Sequence, residues 1–259
     1  MSTAARQLDT AELEDRVKRM YEEVALKPEH EFHFETGRPL AERLGYPTQA
    51  LDRIPAAAID SFAGVGYFLD LAAIAPGEVV LDLGSGSGTD AFLAALAAGD
   101  AGKVIGVDMT AEQLTKAREL AAEAGVANAE FRAGQIEEPP VDPGSVDCVI
   151  SNGVINLSPD KPAVFAAAAT ALRPGGRLAI ADIVTTTQLP EGVTCDASLW
   201  AACIGGAMQR DRYQEAIEAA GFEILQVRGN DRYRFVSDRA DNATRKYGVN
   251  SISLQARRR

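Results

Sequence analysis

The chain has 259 residues, of which 46% are hydrophobic and 24% charged, the profile of an ordinary globular protein with one large domain or one domain and an extension. Its 37 acidic and 26 basic side chains give a formal net charge of −11, which argues against nucleic acid as the main partner, because phosphate binding needs a basic footprint. No apolar run reaches the roughly 18 residues of a membrane span, the start is polar, and three cysteines make no disulfide framework, so a cytoplasmic protein without membrane contact is expected.

Residues 8–25 carry Val17, Met20, Tyr21 and Val24 at helical spacing with charges opposite, which predicts a first helix. His30 and His33 follow. They are the only histidines, too few ligands for a metal site, so no metal is expected. His33 is kept as a pocket candidate. Residues 39–75 hold short helical pieces broken by Gly45, Pro47, Pro55, Gly64 and Gly66, without a strand signal. Residues 1–75 therefore read as a helical cap over a domain at 76–259.

From residue 79 the pattern changes. Strands are predicted at 79–83, 103–108, 129–133, 147–151 and 177–184, alternating with helices at 90–98, 111–124 and 162–172. A helix at 212–220 ends at Gly221. Strands at 222–228 and 251–256, joined by a long loop, make an antiparallel edge. Residues 228–259 hold nine Lys/Arg against three Asp, read as a solvated basic hairpin. Alternating strands and helices predict an α/β fold: a doubly wound, seven-stranded, mostly parallel sheet with an N-terminal helical cap.

The loop after the first strand reads Asp82-Leu83-Gly84-Ser85-Gly86-Ser87-Gly88-Thr89-Asp90. Glycines let the chain turn tightly and let a ligand approach the backbone, and the helix start offers free N–H groups. Gly86 to Ala91 also fits the dinucleotide pattern G-x-G-x-x-A. Asp82 before the loop and the absence of a Tyr-x-x-x-Lys dyad speak against a nicotinamide oxidoreductase. Asp108 ends the second strand, where a carboxylate accepts both hydroxyls of a ribose.

Together these residues resemble a family. Val80 to Gly88 is similar to motif I of class I S-adenosylmethionine-dependent methyltransferases, Gly106-Val107-Asp108-Met109 to their ribose-binding strand end, and Gly134-Gln135-Ile136-Glu137 to their adenine-side loop. Leu172-Arg173-Pro174-Gly175-Gly176 is similar to the turn before strand five. Within that superfamily, residues 149–161, 199–207 and 246–252 resemble the arsenite methyltransferases.

The resemblance implies that S-adenosylmethionine is the cofactor. Asp82 and the amides of Gly84, Ser85 and Gly86 would hold its methionine end, and Asp108 its ribose. Met109 and Ile136 would flank the adenine, beside Gln135 and Glu137, with Asn152 near the methyl group. It also implies where arsenic-binding thiols would stand: positions 65, 153 and 203. This chain has Val65, Gly153 and Cys203 there, next to Trp200, so only one thiol remains. A single thiolate makes a poor site for a soft metalloid.

The expected function is methyl transfer to a small-molecule acceptor, with little arsenite methylation and no assigned catalytic base. The rivals are arsenite methylation through Cys195 and Cys203, a nucleotide-binding oxidoreductase, and a non-catalytic cofactor-binding protein.

Overall fold

The computed structural model describes residues 9–194, 200, 204–236 and 238–259. Helix α1 (Thr10–Leu26) starts where the Asp9 carboxylate accepts from the N–H groups of Ala11 and Glu12 at 3.1 and 3.0 Å. It buries Leu13, Val17 and Val24. Four short helices complete the cap: α2 (Gly37–Leu44), α3 (Thr48–Leu51), α4 (Ala56–Asp60) and α5 (Leu69–Ala72). Pro47 and Pro55 precede α3 and α4, where a missing N–H costs nothing.

The remaining elements are β1 (Val79–Leu83), α6 (Thr89–Ala98), β2 (Lys103–Asp108), α7 (Ala111–Glu123), β3 (Ala129–Ala133) and β4 (Val146–Asn152). They are followed by α8 (Lys161–Ala171), β5 (Leu172–Thr185), α9 (Glu191–Thr194) and β6 (Met208–Gln209). The chain ends with α10 (Arg210–Ala219), β7 (Phe222–Gly229), α11 (Asp238–Tyr247) and β8 (Asn250–Arg258). The sheet has eight strands in the order β3-β2-β1-β4-β5-β8-β7, with β6 beside β5. All pairings are parallel except those of β8, which runs antiparallel to β5 and β7.

The apolar strands follow from burial on both faces. Val80, Cys148, Ile150 and Ala179 belong to the core shared with α6, α7 and the cap. Leu81, Leu83, Val149, Leu178 and Ile180 belong to the opposite core, with Phe165 of α8 and Tyr213 and Ile217 of α10. Among the described residues no helix is long and apolar enough to cross a membrane.

The seven-stranded path is as read from the sequence, with the two-residue β6, too short to leave a periodic signal, paired at the side of β5. Two expectations need correction. The connection between β7 and β8 holds α11 rather than a plain loop. β5 starts at Leu172 and includes the Pro-Gly-Gly turn, because Leu172 pairs with Val146 before the register shifts to Cys148–Arg177.

The cap is riveted to the sheet at Ala73. Arg177 of β5 donates to the Glu78 carboxylate at 2.8 Å and to the Ala73 carbonyl at 3.0 Å. Ala73 has φ +44°, the one non-glycine in the left-handed region among the described residues. A Cβ there is strained. Ala73→Gly is therefore expected to raise stability by about 0.5–1 kcal/mol in urea unfolding, the left-handed strain relieved less glycine's extra chain entropy. A drop in stability would contradict it.

Candidate active site

Strand order reverses at β1, which has β2 on one side and β4 on the other. Crevices at such points, beyond the carboxyl ends of the strands, are the binding places of α/β sheets. A cavity of about 530 Å³ opens there. Asp82 lies near the end of β1, Asp108 ends β2 and Asn152 ends β4.

Residues 84–88 form the tight loop between β1 and α6. At Gly84, φ is +74° and a Cβ would fall 2.4 Å from Val154. At Gly88, φ is +96° and a Cβ would fall 2.8 Å from Phe92. Glycine is thus imposed by both conformation and space. Asp108 braces the loop: one carboxylate oxygen accepts from Gly86 N–H at 2.9 Å, the other from Thr110 N–H at 2.8 Å.

Asp82 is 2% exposed, and its Oδ2 has no hydrogen-bond partner. The hydroxyl of Ser85 is likewise buried without a partner. Both residues line the cavity. Burial, then the nearby Asp90 and Asp108 carboxylates, push the Asp82 carboxyl well above the usual range. A buried carboxylate without a counter-charge is a site prepared for a cationic or hydrogen-bond-donating group.

A second cluster closes the cavity against the cap. The Tyr46 hydroxyl donates to Asp90 Oδ1 at 2.6 Å, and the Asn152 amide donates to Asp90 Oδ2 at 3.0 Å. The same amide is 2.9 Å from the Tyr46 oxygen and 3.1 Å from the Gly66 carbonyl. Asn152 Oδ1 accepts from Val65 N–H at 2.8 Å. Burial raises Asp90 to about 6, against the lowering effect of the Tyr46 and Asn152 hydrogen bonds.

Helix α1 forms the outer wall through Leu13, Glu14, Val17 and Tyr21. Gln135 donates to Glu14 at 3.0 Å and Gln113 to the Tyr21 carbonyl at 2.9 Å, so the cap is tied to the loop after β3 and to α7. Lys116 of α7 holds its far end by donating to the Ala25 carbonyl at 3.0 Å.

The sequence-predicted cofactor residues share this one cavity. Asp82, Gly84, Ser85 and Gly86 line its floor. Asp108, Met109, Gln135, Ile136 and Glu137 line the end near β2 and β3, and Asn152 the cap side. The substrate candidates are placed differently. Val65 and Gly153 lie side by side behind the lining: a Cβ on Gly153 would meet Val65 Cγ1 at 3.0 Å. His33 is not among the lining residues and stands edge-on to Phe34, with ring centroids 4.8 Å apart. It follows the end of α1 and is carried past the cavity. Trp200 is buried outside the cavity, its indole N–H donating to the Thr194 carbonyl at 2.6 Å and its ring 4.8 Å from the Lys161 ammonium. Cys203 and Cys195 lie outside the described residues. Among the described residues, no group of three or more His, Cys, Asp or Glu side chains is placed to hold a metal ion.

Sequence reasoning missed Tyr46, Asp90, Glu14 and Gln113. Asp90 carried a signal: it is the only charged residue in α6, a helix otherwise rich in alanine and buried throughout its first two turns.

Comparison with known proteins bears on this site. The sequence profile described as "Methyltransferase domain" matches residues 74–221. The arsenite methyltransferase of Halobacterium salinarum is 44% identical over 226 residues, covering 86% of this chain and 57% of that protein. The human arsenite methyltransferase is 37% identical over 152 residues, 55% of this chain and 40% of that protein. The match thus covers 57% of the first of these relatives and less than half of the second. Among solved structures, an arsenic(III) S-adenosylmethionine methyltransferase from Chlamydomonas reinhardtii superposes with a TM-score of 0.64 at 30% identity, over 85% of this chain and 73% of that one. Geranyl diphosphate C-methyltransferase from Streptomyces coelicolor A3(2) shares the fold, with a TM-score of 0.69 at 17% identity over 98% of this chain and all of that one.

The Tyr46 hydroxyl joins cap to sheet through Asp90. Tyr46→Phe leaves a buried carboxylate oxygen short of a donor, so it is expected to cost about 1–3 kcal/mol in urea unfolding. An unchanged midpoint would show that the contact does not hold the cap.

Proposed function

Because the chain belongs to the methyltransferase-domain family, as a class I S-adenosylmethionine-dependent methyltransferase close to the arsenite methyltransferases, we propose that it methylates a small-molecule acceptor held between the cap and the ends of β1 and β4. The observation that carries the reading is the buried Asp82 Oδ2 without a partner beside the glycine loop. It fits the ammonium of S-adenosylmethionine. Asp108, which ends β2 and lines the cavity, fits the ribose hydroxyls. Met109 and Ile136 flank the space for the adenine, with Gln135 and Glu137 at its edge.

When bound, the cofactor supplies a methyl group on a sulfonium that is its own leaving group. The protein's share is placement and exclusion of water. Asp82, Asp108 and the loop amides of Gly84, Ser85 and Gly86 fix the donor. Leu13, Val17 and Tyr21 of α1 cover it. Asn152, anchored on Asp90 and the Val65 N–H, keeps residues 64–66 of the cap in place beside it. Residues 1–75 act as the cap and 76–259 as the catalytic domain. The sparse cysteines favour the cytoplasm.

Calorimetric titration tests the reading. S-adenosylmethionine is expected to bind and NADH not, and Asp108→Ala to weaken the cofactor by about 1.5–3 kcal/mol, the scale of hydrogen bonds to a charged group. NADH binding without S-adenosylmethionine binding would reverse the assignment in favour of an oxidoreductase.

For the acceptor, the reading favours an organic molecule over arsenite. Val65 fills the space beside Gly153, and a side chain at 153 would meet both that contact and φ +72°. Arsenite methylation by the wild type is expected to be weak. The double change Val65→Cys with Gly153→Cys, which also removes one methyl group from the contact, is expected to raise it. Robust wild-type activity that disappears in Cys195→Ser would establish the alternative thiol site instead.

A further inference from the structure

The cavity has walls of one charge. Glu14, Asp82, Asp90, Asp108, Glu137 and Asp160 line it, and among the described residues no Lys, Arg or His does. The lysines behind the walls are engaged there. Lys18 pairs with Glu14 at the rim at 2.5 Å. Lys116 donates to the Ala25 carbonyl and to the Ser61 hydroxyl, at 3.0 and 2.8 Å. Lys161 donates to the Ser158 carbonyl at 2.8 Å and lies against Trp200.

The carboxylates divide by position. Glu14 is neutralised by Lys18. Asp82, Asp108 and Glu137 face the space assigned to the methyl donor. Asp90 is bonded to Asn152 and to Tyr46 of the cap, and Asp160 lines the cavity from the start of α8, where its carboxylate accepts from the Ala163 N–H at 3.1 Å. Asp90 is met by neutral donors only, the Tyr46 hydroxyl and the Asn152 amide. The unpartnered Asp82 Oδ2 and Ser85 hydroxyl show independently that the cavity is built around a ligand and is short of positive charge.

We propose that this lining is a charge filter on the acceptor: the site takes neutral or cationic nucleophiles and turns away molecules that carry a carboxylate, sulfonate or phosphate. The inference rests on the methyl-transfer reading and names the substrate class for it. An anion entering beside Asp90 would leave water and meet a like charge with no counter-ion to receive it. Burial pushes the Asp90 carboxyl up to about 6, which still leaves the ionised form in excess at neutral pH. Asp82 from β1, Tyr46 from the cap and, further out, Tyr67 are the titratable groups around it, and none supplies a positive charge. A neutral or protonated acceptor meets the opposite situation.

The test uses three near-isosteric pairs of probes, one neutral and one anionic in each: para-hydroxybenzamide and para-hydroxybenzoate, para-aminobenzamide and para-aminobenzoate, para-mercaptobenzamide and para-mercaptobenzoate. Binding to the S-adenosylhomocysteine complex is read by calorimetry, and release of S-adenosylhomocysteine from S-adenosylmethionine is followed in parallel. The carboxamides are expected to bind at least tenfold tighter than their carboxylates, about 1.4 kcal/mol. Asp90→Asn and, separately, Asp160→Asn are expected to narrow the gap by raising affinity for the anions. Two mutants guard against one that fails to fold. Carboxylates binding as well as carboxamides would overturn the filter, as would a gap that neither variant changes, or no binding of any probe to a protein that binds S-adenosylhomocysteine. Failure to bind the cofactor and its product at all would reject the methyl-transfer reading instead.

Discussion

A buried carboxylate oxygen without a partner, Oδ2 of Asp82, organises this molecule. Asp82 sits in the central strand of the sheet, 2% exposed, flanked by β2 and β4 and capped by helices. Placing a charge there is costly, and its carboxyl answers by holding its proton more tightly. The strand pairings leave no freedom to turn it outward, since Asp82 is registered between Gly106 and Ile150. The cost is recovered only if a ligand supplies the missing partner. The surrounding features fit that end: glycines that keep the loop thin, Asp108 bracing the loop, and a cap whose first helix lines the cavity.

The cap and the site are one structure. Asn152 spends its amide on Asp90, Tyr46 and Gly66 and its carbonyl on Val65. Val65 is held from its other side as well, its carbonyl accepting from the Ser251 hydroxyl of β8 at 2.7 Å. The strip at residues 64–66 is therefore fixed between β4 and β8. Gly66 has no room for a side chain there, because a Cβ would fall 2.1 Å from the Asn230 amide. The position that faces Gly153 is thus rigid, and changing its side chain changes the local chemistry without moving the backbone. On the other rim, α1 is tied at both ends, by Gln135 to Glu14 and by Lys116 to Ala25.

Much of this was legible in the sequence, for physical reasons that differ by element. The parallel strands are buried on both faces, so runs such as Val79 to Leu83 announce themselves as apolar. The glycine loop announces itself by composition, and Asp82 and Asp108 by being charged at strand ends. What stayed hidden depends on contacts between distant residues. Tyr46 and Asp90 are 44 positions apart, and nothing local in either segment marks the pair. β6 and α11 are set by packing against their neighbours rather than by a periodic pattern. Trp200 and His33 stand apart from the cavity lining: the Trp200 indole donates to the Thr194 carbonyl and the His33 ring packs edge-on against Phe34.

The account turns on whether Asp82 gains its counter-charge from the cofactor. The free site holds the Asp82 carboxyl above its ordinary range, and an ammonium against it favours the ionised form, so binding must expel protons. The direct measurement is calorimetric binding of S-adenosylhomocysteine at pH 6 in buffers of different ionisation enthalpy, with wild type and Asp82→Asn. The account predicts net proton release in the wild type, affinity that rises with pH, and a clearly smaller release in Asp82→Asn. Binding with no proton release, or the same release with and without the Asp82 carboxyl, would contradict it.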